Sequence, residues 1–213
     1  MPVLNGMPWI PGAVASVVSQ TGVEVELIIL DGGSTDGTRA WLTGSAPEGV
    51  RVVLAPDHGQ TDAIAKGLAM ANGSILGWLN ADDMLEPGAL ATACDAFATH
   101  PGASMVSGAC LIIDEVGEVT GRIDTPPNGS LDGLLRFPRN LAQPATFFSA
   151  AAYRQTQGLD LRLQYAMDVD LWLKLARIGP AALLADRVLA RFRVHGGAKS
   201  SIAATSSPSG SSR

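Results

Sequence analysis

The sequence predicts an α/β fold with a mostly parallel sheet and helices on both of its faces. Residues 23–30 alternate between apolar and polar and then become fully apolar, as in a strand that enters the middle of a sheet. Residues 61–71 have the helical period instead, and Gly73 is placed to end that helix. Because strands and helices alternate in this way along the chain, we expect right-handed crossovers and a parallel sheet.

The other predicted elements follow from the same periods. The first half adds a short helix over residues 35–42 capped by Thr35 and Asp36, strands over 50–54 and 75–79, and a helix over 87–100. The second half adds extended segments over residues 105–113, 119–123, 143–149, 181–185 and 188–194, and helices over 150–157 and 165–178. Residues 201–213 have the composition of a disordered tail.

Composition limits both the architecture and the function. The 213 residues are 46% apolar and only 16% charged, which predicts one packed domain. The formal net charge of −5 argues against electrostatic binding to nucleic acid or to anionic lipid.

No basic leader precedes Arg39 and no apolar run is long enough for a transmembrane segment. We therefore expect a cytoplasmic protein, and peripheral association with the inner membrane face stays open. Cys94 and Cys110 are expected to be free, buried thiols.

Carboxylates follow three successive predicted strands. Asp31, Asp57 and the adjacent pair Asp82 and Asp83 stand where ligands bind in parallel sheets, beyond the carboxyl ends of the strands. Two adjacent anions repel each other, and a divalent cation that also binds a diphosphate would compensate them. The structural alternative is a solvated turn before the helix that starts near Pro87.

The glycine-rich octet DGGSTDGT at residues 31–38 raises the question of a phosphate-binding loop. It lacks the lysine of a Walker motif and the spacing of a dinucleotide fingerprint, so both of those interpretations are excluded.

Several ordered motifs instead resemble the family two glycosyltransferases of GT-A fold. The resemblance to the family's nucleotide-sugar half rests on residues 31–38, 57–67 and 77–83. The resemblance to its acceptor half rests on residues 143–148, 167–173 and 193–195, with Lys199 and Ser200 behind them. It implies a single domain over residues 1–200, with the nucleotide-sugar half at about 1–101 and the acceptor half at about 102–200. Together the motifs cover residues 2–200, and several in order are far more specific than any one alone.

The resemblance implies a fold and a reaction. The fold would be GT-A, a Rossmann-like, mostly parallel sheet with a small extended or antiparallel C-terminal part. The reaction would be inverting transfer of a sugar from a nucleoside diphosphate sugar donor to a hydroxyl of a glycan or glycolipid acceptor, in polysaccharide biosynthesis, with Mn²⁺ or Mg²⁺ as cofactor.

The resemblance also assigns roles to residues. Asp31 would contact the nucleobase, Asp82 the ribose or donor sugar, and Asp83 the metal, with His195 as a further metal ligand and Asp168 as the general base. The remaining residues expected to bind nucleotide or donor are Gly32, Ser34, Asp57, Gln60, Asp62, Lys66 and Asn80.

Departures from the family pattern support a second hypothesis, a non-catalytic or truncated relative that binds nucleotide without turnover. Residues 1–5 resemble only the end of the family's first strand, Ala65 replaces an expected Asn, and Met167 replaces the Glu of a Glu-Asp motif. A sugar-nucleotide pyrophosphorylase would need a glycine-rich, Arg-containing loop near the N-terminus, and none is visible. Asp168 could also be a polar-face residue of its helix, and His195 a hydrogen-bonded surface residue.

Overall fold

A computed structural model describes residues 1–136 and 141–197. The predicted tail and the pair Lys199 and Ser200 lie outside these residues. The N-terminal part contains a parallel sheet of three strands in the order β1-β2-β3. Its elements are β1 (Pro2–Val3), α1 (Ile10–Val18), β2 (Ile28–Asp31), α2 (Thr38–Gly44), β3 (Arg51–Leu54) and α3 (Gln60–Met70).

The second sheet has six strands in the order β4-β8-β6-β9-β5, with β7 on β6. Only β6 and β9 pair in parallel, and the other neighbours are antiparallel. Its elements are β4 (Ile75–Leu76), β5 (Met84–Leu85), α4 (Ala89–Thr99), β6 (Met105–Ile113), β7 (Val119–Ile123), α5 (Leu131–Arg136), a 3-10 helix (Gln143–Ala145), β8 (Thr146–Ser149), α6 (Ala150–Gln155), α7 (Met167–Ala176) and β9 (Ala181–Arg193).

The predicted α/β class is confirmed, but the antiparallel part is larger than expected. The strand expected over residues 75–79 forms only β4, which pairs with β8 rather than with the parallel sheet. The expected extended segment at residues 143–149 begins as the 3-10 helix. The two extended segments after residue 180 are one strand, β9, whose register against β6 shifts beside the exposed polar residues Asp186 and Arg187.

Helix α1 is absent from the elements predicted above. Pro11 lies in its first turn, where the missing N–H has no helical partner to lose and the fixed φ favours the helix. The helix buries Ile10, Ala13 and Val14 almost completely. Strand β5 and helix α5 were not predicted either, because each is too short to show a period.

Two apolar clusters hold the sheets and helices together. One contains Ile10, Val14 and Ile29 and lies between α1, α4 and β2. The other surrounds Trp172, which stacks on Trp78 with ring centroids 5.5 Å apart. Trp78 is only 7% exposed, and it anchors in the core the start of residues 78–83, which we call the acidic loop. Within the described residues, no helix combines the length and the apolar character needed to cross a bilayer.

Candidate active site

The carboxylate of Asp31 shapes the loop that follows β2. The side chain is fully buried, and its Oδ1 accepts a hydrogen bond from the backbone N–H of Ser34 at 3.0 Å. Arg39 Nε lies 3.0 Å from Oδ2, which is an ion-pair distance, but Oδ2 accepts no hydrogen bond from any described residue. A buried carboxylate oxygen without a hydrogen-bond donor is costly. Asp31 Oδ2 can therefore still accept a hydrogen bond, and it lies beneath the half-exposed side chain of Arg39.

The chain after β1 fixes the same loop from the other side. The backbone N–H of Asn5 donates to Ser34 Oγ at 2.7 Å, and that of Gly6 donates to Thr38 Oγ1 at 2.9 Å. The backbone N–H of Thr35 donates back to Asn5 Oδ1 at 2.8 Å. Ser34 is buried, and its hydroxyl group joins the loop after β1 to the loop after β2.

Asp57 brings the end of β3 to this loop. Its carboxylate lies so close to Gly32 that a Cβ atom at Gly32 would overlap it. Asp57 Oδ1 also accepts a hydrogen bond from the backbone N–H of Gly59 at 2.9 Å. The structure therefore gathers Asp31, Gly32 and Asp57 at one edge of the parallel sheet, as the strand order predicts, and only glycine fits between the two acids.

Asp62 and Lys66 form an ion pair on the surface of α3. Lys66 Nζ lies 2.7 Å from Asp62 Oδ2, which also accepts a hydrogen bond from the backbone N–H of His58 at 2.9 Å. The bond from Lys66 lowers the pKa of Asp62 to about 2. Asp62 and Lys66 were both predicted to bind the nucleotide-sugar donor. In the structure their charges neutralise each other at the i, i+4 spacing of a helix.

A chain of amide side chains links α3 to the acidic loop. Gln60 Nε2 donates to Asn80 Oδ1 at 2.8 Å, and Asn80 Nδ2 donates to Gln143 Oε1 at 3.2 Å. Gln143 Nε2 in turn donates to the carbonyl oxygen of Trp78 at 2.6 Å. Polar groups that are satisfied in series rigidify a site, and this chain sets the path of residues 78–83.

Asp83 is the interior member of the acid pair. It is fully buried, its Oδ1 accepts from the backbone N–H of Arg193 at 2.9 Å, and its Oδ2 accepts from Asn80 Nδ2 at 3.1 Å. Burial, followed by the charge of Asp82, raises the pKa of Asp83 well above its ordinary value. Oδ1 thus holds the loop to β9, Oδ2 accepts a hydrogen bond from within the loop, and both oxygens already have donors.

Asp82 is the exposed member and faces His195. Asp82 Oδ2 lies 3.0 Å from His195 Nε2, with the two side chains 28% and 8% exposed. The indole of Trp9 covers the imidazole, with ring centroids 4.0 Å apart. The structure thus brings together two residues that are separated by more than a hundred positions in the sequence.

Arg193 holds this pair in place. Its Nε donates to the carbonyl oxygen of Asp82 at 3.0 Å, and its NH1 group donates to the carbonyl oxygens of Asp114 and Glu115 at 2.8 and 3.1 Å. Glu115 lies at the tip of the β6–β7 hairpin, and its Oε1 accepts a hydrogen bond from the backbone N–H of Gly196 at 3.2 Å. One guanidinium group therefore ties the acidic loop, the hairpin tip and the end of β9 together.

Asp168 lies in the first turn of α7 and is half-buried. Burial raises the pKa of its carboxyl group, and Oδ1 accepts a hydrogen bond from the backbone N–H of Val169 at 2.9 Å. Asp170 differs, because Lys174 Nζ lies 2.7 Å from its Oδ2. The preceding residue, Met167, is buried in the second apolar cluster.

The segment before α7 contacts the start of α3. Thr61 Oγ1 donates to the carbonyl oxygen of Leu163 at 2.7 Å, and Gln164 Oε1 lies 3.2 Å from the position of a Cβ atom at Gly59. Helix α3 connects in turn to Asn80 through Gln60. The segment that leads into α7 is therefore linked through the start of α3 to the acidic loop.

Asp82 and His195 are the residues of this site that could hold a divalent cation. Among residues 1–136 and 141–197, no group of three or more His, Cys, Asp or Glu side chains is arranged to hold a metal ion. Asp82 Oδ2 and His195 Nε2 are 3.0 Å apart as hydrogen-bond partners, and adjacent ligands of an octahedral cation, at about 2.1 Å from it, also lie about 3 Å apart. Two protein ligands suit an ion that completes its shell with substrate phosphate oxygens and water.

Three residues of the site were not assigned roles from the sequence. Gln143 and Arg193 stand inside the motifs quoted above, so their positions were visible but their hydrogen bonds were not. Trp9 lies in no predicted element, and the sequence contains no signal that would place it on His195.

Solved structures share this fold. The crystal structure of S. aureus TarS 1-349 in complex with UDP-GlcNAc has a TM-score of 0.70 at 17% identity and covers 92% of this chain and 58% of that chain. The mannosyltransferase PcManGT from Pyrobaculum calidifontis in complex with GDP-Man and Mn²⁺ has a TM-score of 0.69 at 18% identity and covers 92% and 56%. The fold is thus that of the GT-A glycosyltransferases.

Sequence relatives agree with the structural neighbours. The chondroitin synthase of Pasteurella multocida (strain Pm70) is 28% identical over 182 residues, which cover 84% of this chain and 18% of that protein. A PGL/p-HBAD biosynthesis glycosyltransferase of Mycobacterium bovis (strain BCG / Pasteur 1173P2) is 31% identical over 174 residues, which cover 80% and 65%. This chain thus spans less than two thirds of either relative. The profile of Glycosyl transferase family 2 matches residues 1–156, and the chain therefore belongs to that family.

Proposed function

We propose that this chain transfers a sugar from a nucleoside diphosphate sugar to a hydroxyl of a glycan or glycolipid acceptor, with inversion at the anomeric carbon. The observation that carries the proposal is the pair of Asp82 Oδ2 and His195 Nε2, 3.0 Å apart. Three comparisons support it: a relative named chondroitin synthase, and two neighbours whose complexes hold UDP-GlcNAc or GDP-Man with Mn²⁺. The biological setting that we infer is polysaccharide biosynthesis.

The nucleotide end of the donor binds where β2 and β3 end. Asp31 Oδ2 accepts no hydrogen bond from a described residue, and a nucleobase N–H is a suitable donor for it. Movement of the half-exposed Arg39 side chain would open that oxygen, and the same guanidinium would then face the diphosphate. Asp57 and Gly32 form the floor on which the ribose lies.

The diphosphate end binds at Asp82 and His195. These two residues would hold a divalent cation, Mn²⁺ or Mg²⁺, whose positive charge would offset the negative charge of the departing diphosphate. Of the two acids, Asp82 is the exposed one, and Asp83 is fully buried with both oxygens accepting hydrogen bonds. We therefore assign the ligand role to Asp82 and an orienting role to Asp83.

The acceptor is activated by Asp168. Its carboxylate removes the proton from the acceptor hydroxyl, whose oxygen then bonds to the anomeric carbon on the side opposite the diphosphate. The bond between the anomeric carbon and the diphosphate oxygen breaks with its electron pair, and the nucleoside diphosphate leaves. No covalent bond between sugar and protein is needed, and the raised pKa of Asp168 suits proton transfer.

The observation that favours the second candidate function, nucleotide binding without turnover, is the position of Met167. Its side chain is buried among apolar residues where the family motif has a carboxylate. A catalytically silent chain would still bind donor in the presence of cation, but it would neither transfer nor hydrolyse the sugar.

Titration calorimetry with UDP, GDP and dTDP, with Mn²⁺ or with chelator, tests the proposal. We expect at least one nucleotide to bind only with the cation, because diphosphate and Asp82 otherwise meet as like charges. Asp82→Asn should remove the cation-dependent part, whereas Asp83→Asn should retain it if the protein stays folded by circular dichroism. Equal affinity in chelator would contradict the cation role, and the opposite response of the two variants would return the ligand role to Asp83.

A further inference from the structure

Trp9 packs against His195 from the side of α1. The two rings have their centroids 4.0 Å apart, and their planes are inclined by 37°. Aromatic contacts of this kind stabilise a pair of rings beyond the effect of the area that they bury. Because the side chain of His195 is only 8% exposed, its imidazole is enclosed by neighbours, and the indole restricts its rotation.

Hydrogen bonds fix the backbone from which this indole extends. Trp9 is the N-cap residue of α1; its backbone N–H donates to the carbonyl oxygen of Gly6 at 3.0 Å, and its own carbonyl oxygen accepts from Ala13 at 3.1 Å. Just before it, the backbone N–H of Met7 donates to Asp36 Oδ2 at 2.8 Å. The start of α1 is therefore attached to the loop after β2, and Trp9 extends from a defined position.

The β6–β7 hairpin contacts the polar edge of the same indole. Trp9 Nε1 donates to the carbonyl oxygen of Glu115 at 3.4 Å, as an enclosed indole N–H usually finds an acceptor. Glu115 Oε1 accepts from the backbone N–H of Gly196, the residue after His195. One residue of the hairpin thus contacts both the indole and the chain that carries the imidazole.

His195 depends on such contacts because its backbone lies outside regular structure. The N–H of Val194 donates to the carbonyl oxygen of Ile113 at 2.8 Å, but β9 itself ends at Arg193 and a turn follows His195. Gly196 and Gly197 come next, and glycine restricts the backbone least. The groups that orient a metal-binding histidine typically change metal affinity about 10- to 100-fold.

We propose that Trp9 is a positioning residue for His195, whose imidazole it holds toward Asp82 so that the pair binds a divalent cation more tightly. This inference rests on the proposed function, in which Asp82 and His195 would hold that cation. The face of an indole is electron-rich, and an imidazole that binds a cation becomes more positively polarised. The contact between the two rings therefore strengthens when the cation is bound.

Two substitutions of Trp9 separate the aromatic face from the N–H group. Trp9→Phe keeps a ring over His195 but loses the donor to the hairpin, whereas Trp9→Leu removes the ring. Phe97→Leu on α4 is the matched control, because it removes another partly buried ring, which packs in the cluster of Val106 and Ala182. Trp9→Met takes the place of Trp9→Leu if circular dichroism shows that the latter does not fold.

Calorimetry with Mn²⁺ measures the affinity of each variant, with whichever of UDP, GDP and dTDP binds to the unaltered chain. We expect Trp9→Leu to weaken cation-dependent binding about tenfold, because His195 loses the group that orients it. Trp9→Phe should retain most of the affinity, and Phe97→Leu should leave it unchanged.

The electron spin echo of bound Mn²⁺ reports on His195 itself, since a coordinated imidazole nitrogen modulates the echo. At saturating Mn²⁺ and nucleotide, this nitrogen modulation should be present in the unaltered chain and in Trp9→Phe, and reduced in Trp9→Leu. His195→Gln gives the baseline without the imidazole. A general loss of packing would lower stability without changing the modulation.

The contradicting outcomes are distinct. Equal affinity and equal modulation in Trp9→Leu and in the unaltered chain would overturn this inference and leave the proposed function intact. A loss of affinity with full modulation, or an equal loss in Phe97→Leu, would also overturn it, because Trp9 would then act through overall stability. If the unaltered chain binds no nucleotide in a cation-dependent manner, the proposed function fails and this inference fails with it.

Discussion

At the scale of single residues, the proposed role of Asp168 as general base predicts opposite effects of one substitution on turnover and on stability. Asp168→Asn keeps the shape and the acceptor for the backbone N–H of Val169 but cannot take a proton. We expect turnover to fall about 100- to 10,000-fold, with donor affinity nearly unchanged. Asp170→Asn, which only breaks the ion pair with Lys174, should leave turnover near wild type. Sugar transfer, or donor hydrolysis, measures both; a loss confined to Asp170→Asn would move the base to that residue.

The same carboxyl group predicts a pH dependence. Its pKa is raised by burial, so the ionised base is lost as pH falls through a value above the ordinary aspartate range. Turnover should therefore decline on the acid side at a higher pH than an unperturbed aspartate would give.

Stability changes in the opposite direction with pH. A carboxyl with a raised folded-state pKa contributes most below the unfolded-state value, and that contribution is lost as pH rises through the folded-state value. Asp168→Asn should therefore be as stable as wild type or more stable at pH 7 in urea denaturation. A clear loss of stability there would identify Asp168 as a structural residue.

The sequence indicates the acids of the site more reliably than their partners. Asp31, Asp57 and the pair at 82 and 83 follow predicted strands, and the structure does place Asp57 against the loop of Asp31. Which member of the pair is buried depends on β9, more than a hundred residues away. No local sequence pattern predicts a contact between residues so far apart in the chain. Only the structure therefore shows that Asp83 is more deeply buried than Asp82.

At the scale of elements, Arg193 joins the β6–β7 hairpin to the acidic loop. Arg193→Met removes the donors to the carbonyl oxygens of Asp82, Asp114 and Glu115. We expect the free energy of unfolding to fall by about 2 to 4 kcal/mol, since three partly buried carbonyl oxygens lose hydrogen bonds from a buried, charged donor. Cation-dependent nucleotide affinity should fall as well, because Asp82 and His195 lose their common support.

Arg122→Met on β7 is the matched control for this prediction. Arg122 pairs with Asp124 and donates to the carbonyl oxygen of Ala185 at the surface. The side chains of Arg122 and Asp124 are 41% and 71% exposed, so loss of the pair should cost under about 1 kcal/mol. Urea denaturation and calorimetry on both variants make the comparison. Similar values for the two would show that the hairpin holds without the buried guanidinium group.

Periodicity identified long elements and missed short ones. Strands β6 and β7 have the predicted bounds, because nine or five residues are enough for a period. Helix α1 was not predicted, because Pro8, Pro11 and Gly12 are residue types that are typical of loops. The partner of β4 could not be predicted, since two residues of strand do not specify which sheet edge they join.

At the scale of the whole molecule, β6 is the centre of stability. It is almost entirely buried and is flanked by β9 on one side and by β7 and β8 on the other. Native-state hydrogen exchange should be slowest at the amides of β6, and faster in β1 and β2 of the smaller, three-stranded sheet. Slower exchange in β2 than in β6 would contradict this order.

The ladder between β6 and β9 also determines when the site can exist during synthesis. A ribosome releases residues in order, and the acidic loop leaves it long before Arg193 and His195, which complete the loop's hydrogen bonds. Parallel pairing of strands that are distant in the chain is a slow, late event. A nascent chain that ends before β9 thus has the loops after β2 and β3 but lacks the proposed cation pair of Asp82 and His195. If the proposed function holds, cation-dependent donor binding begins only after β9 and His195 have emerged.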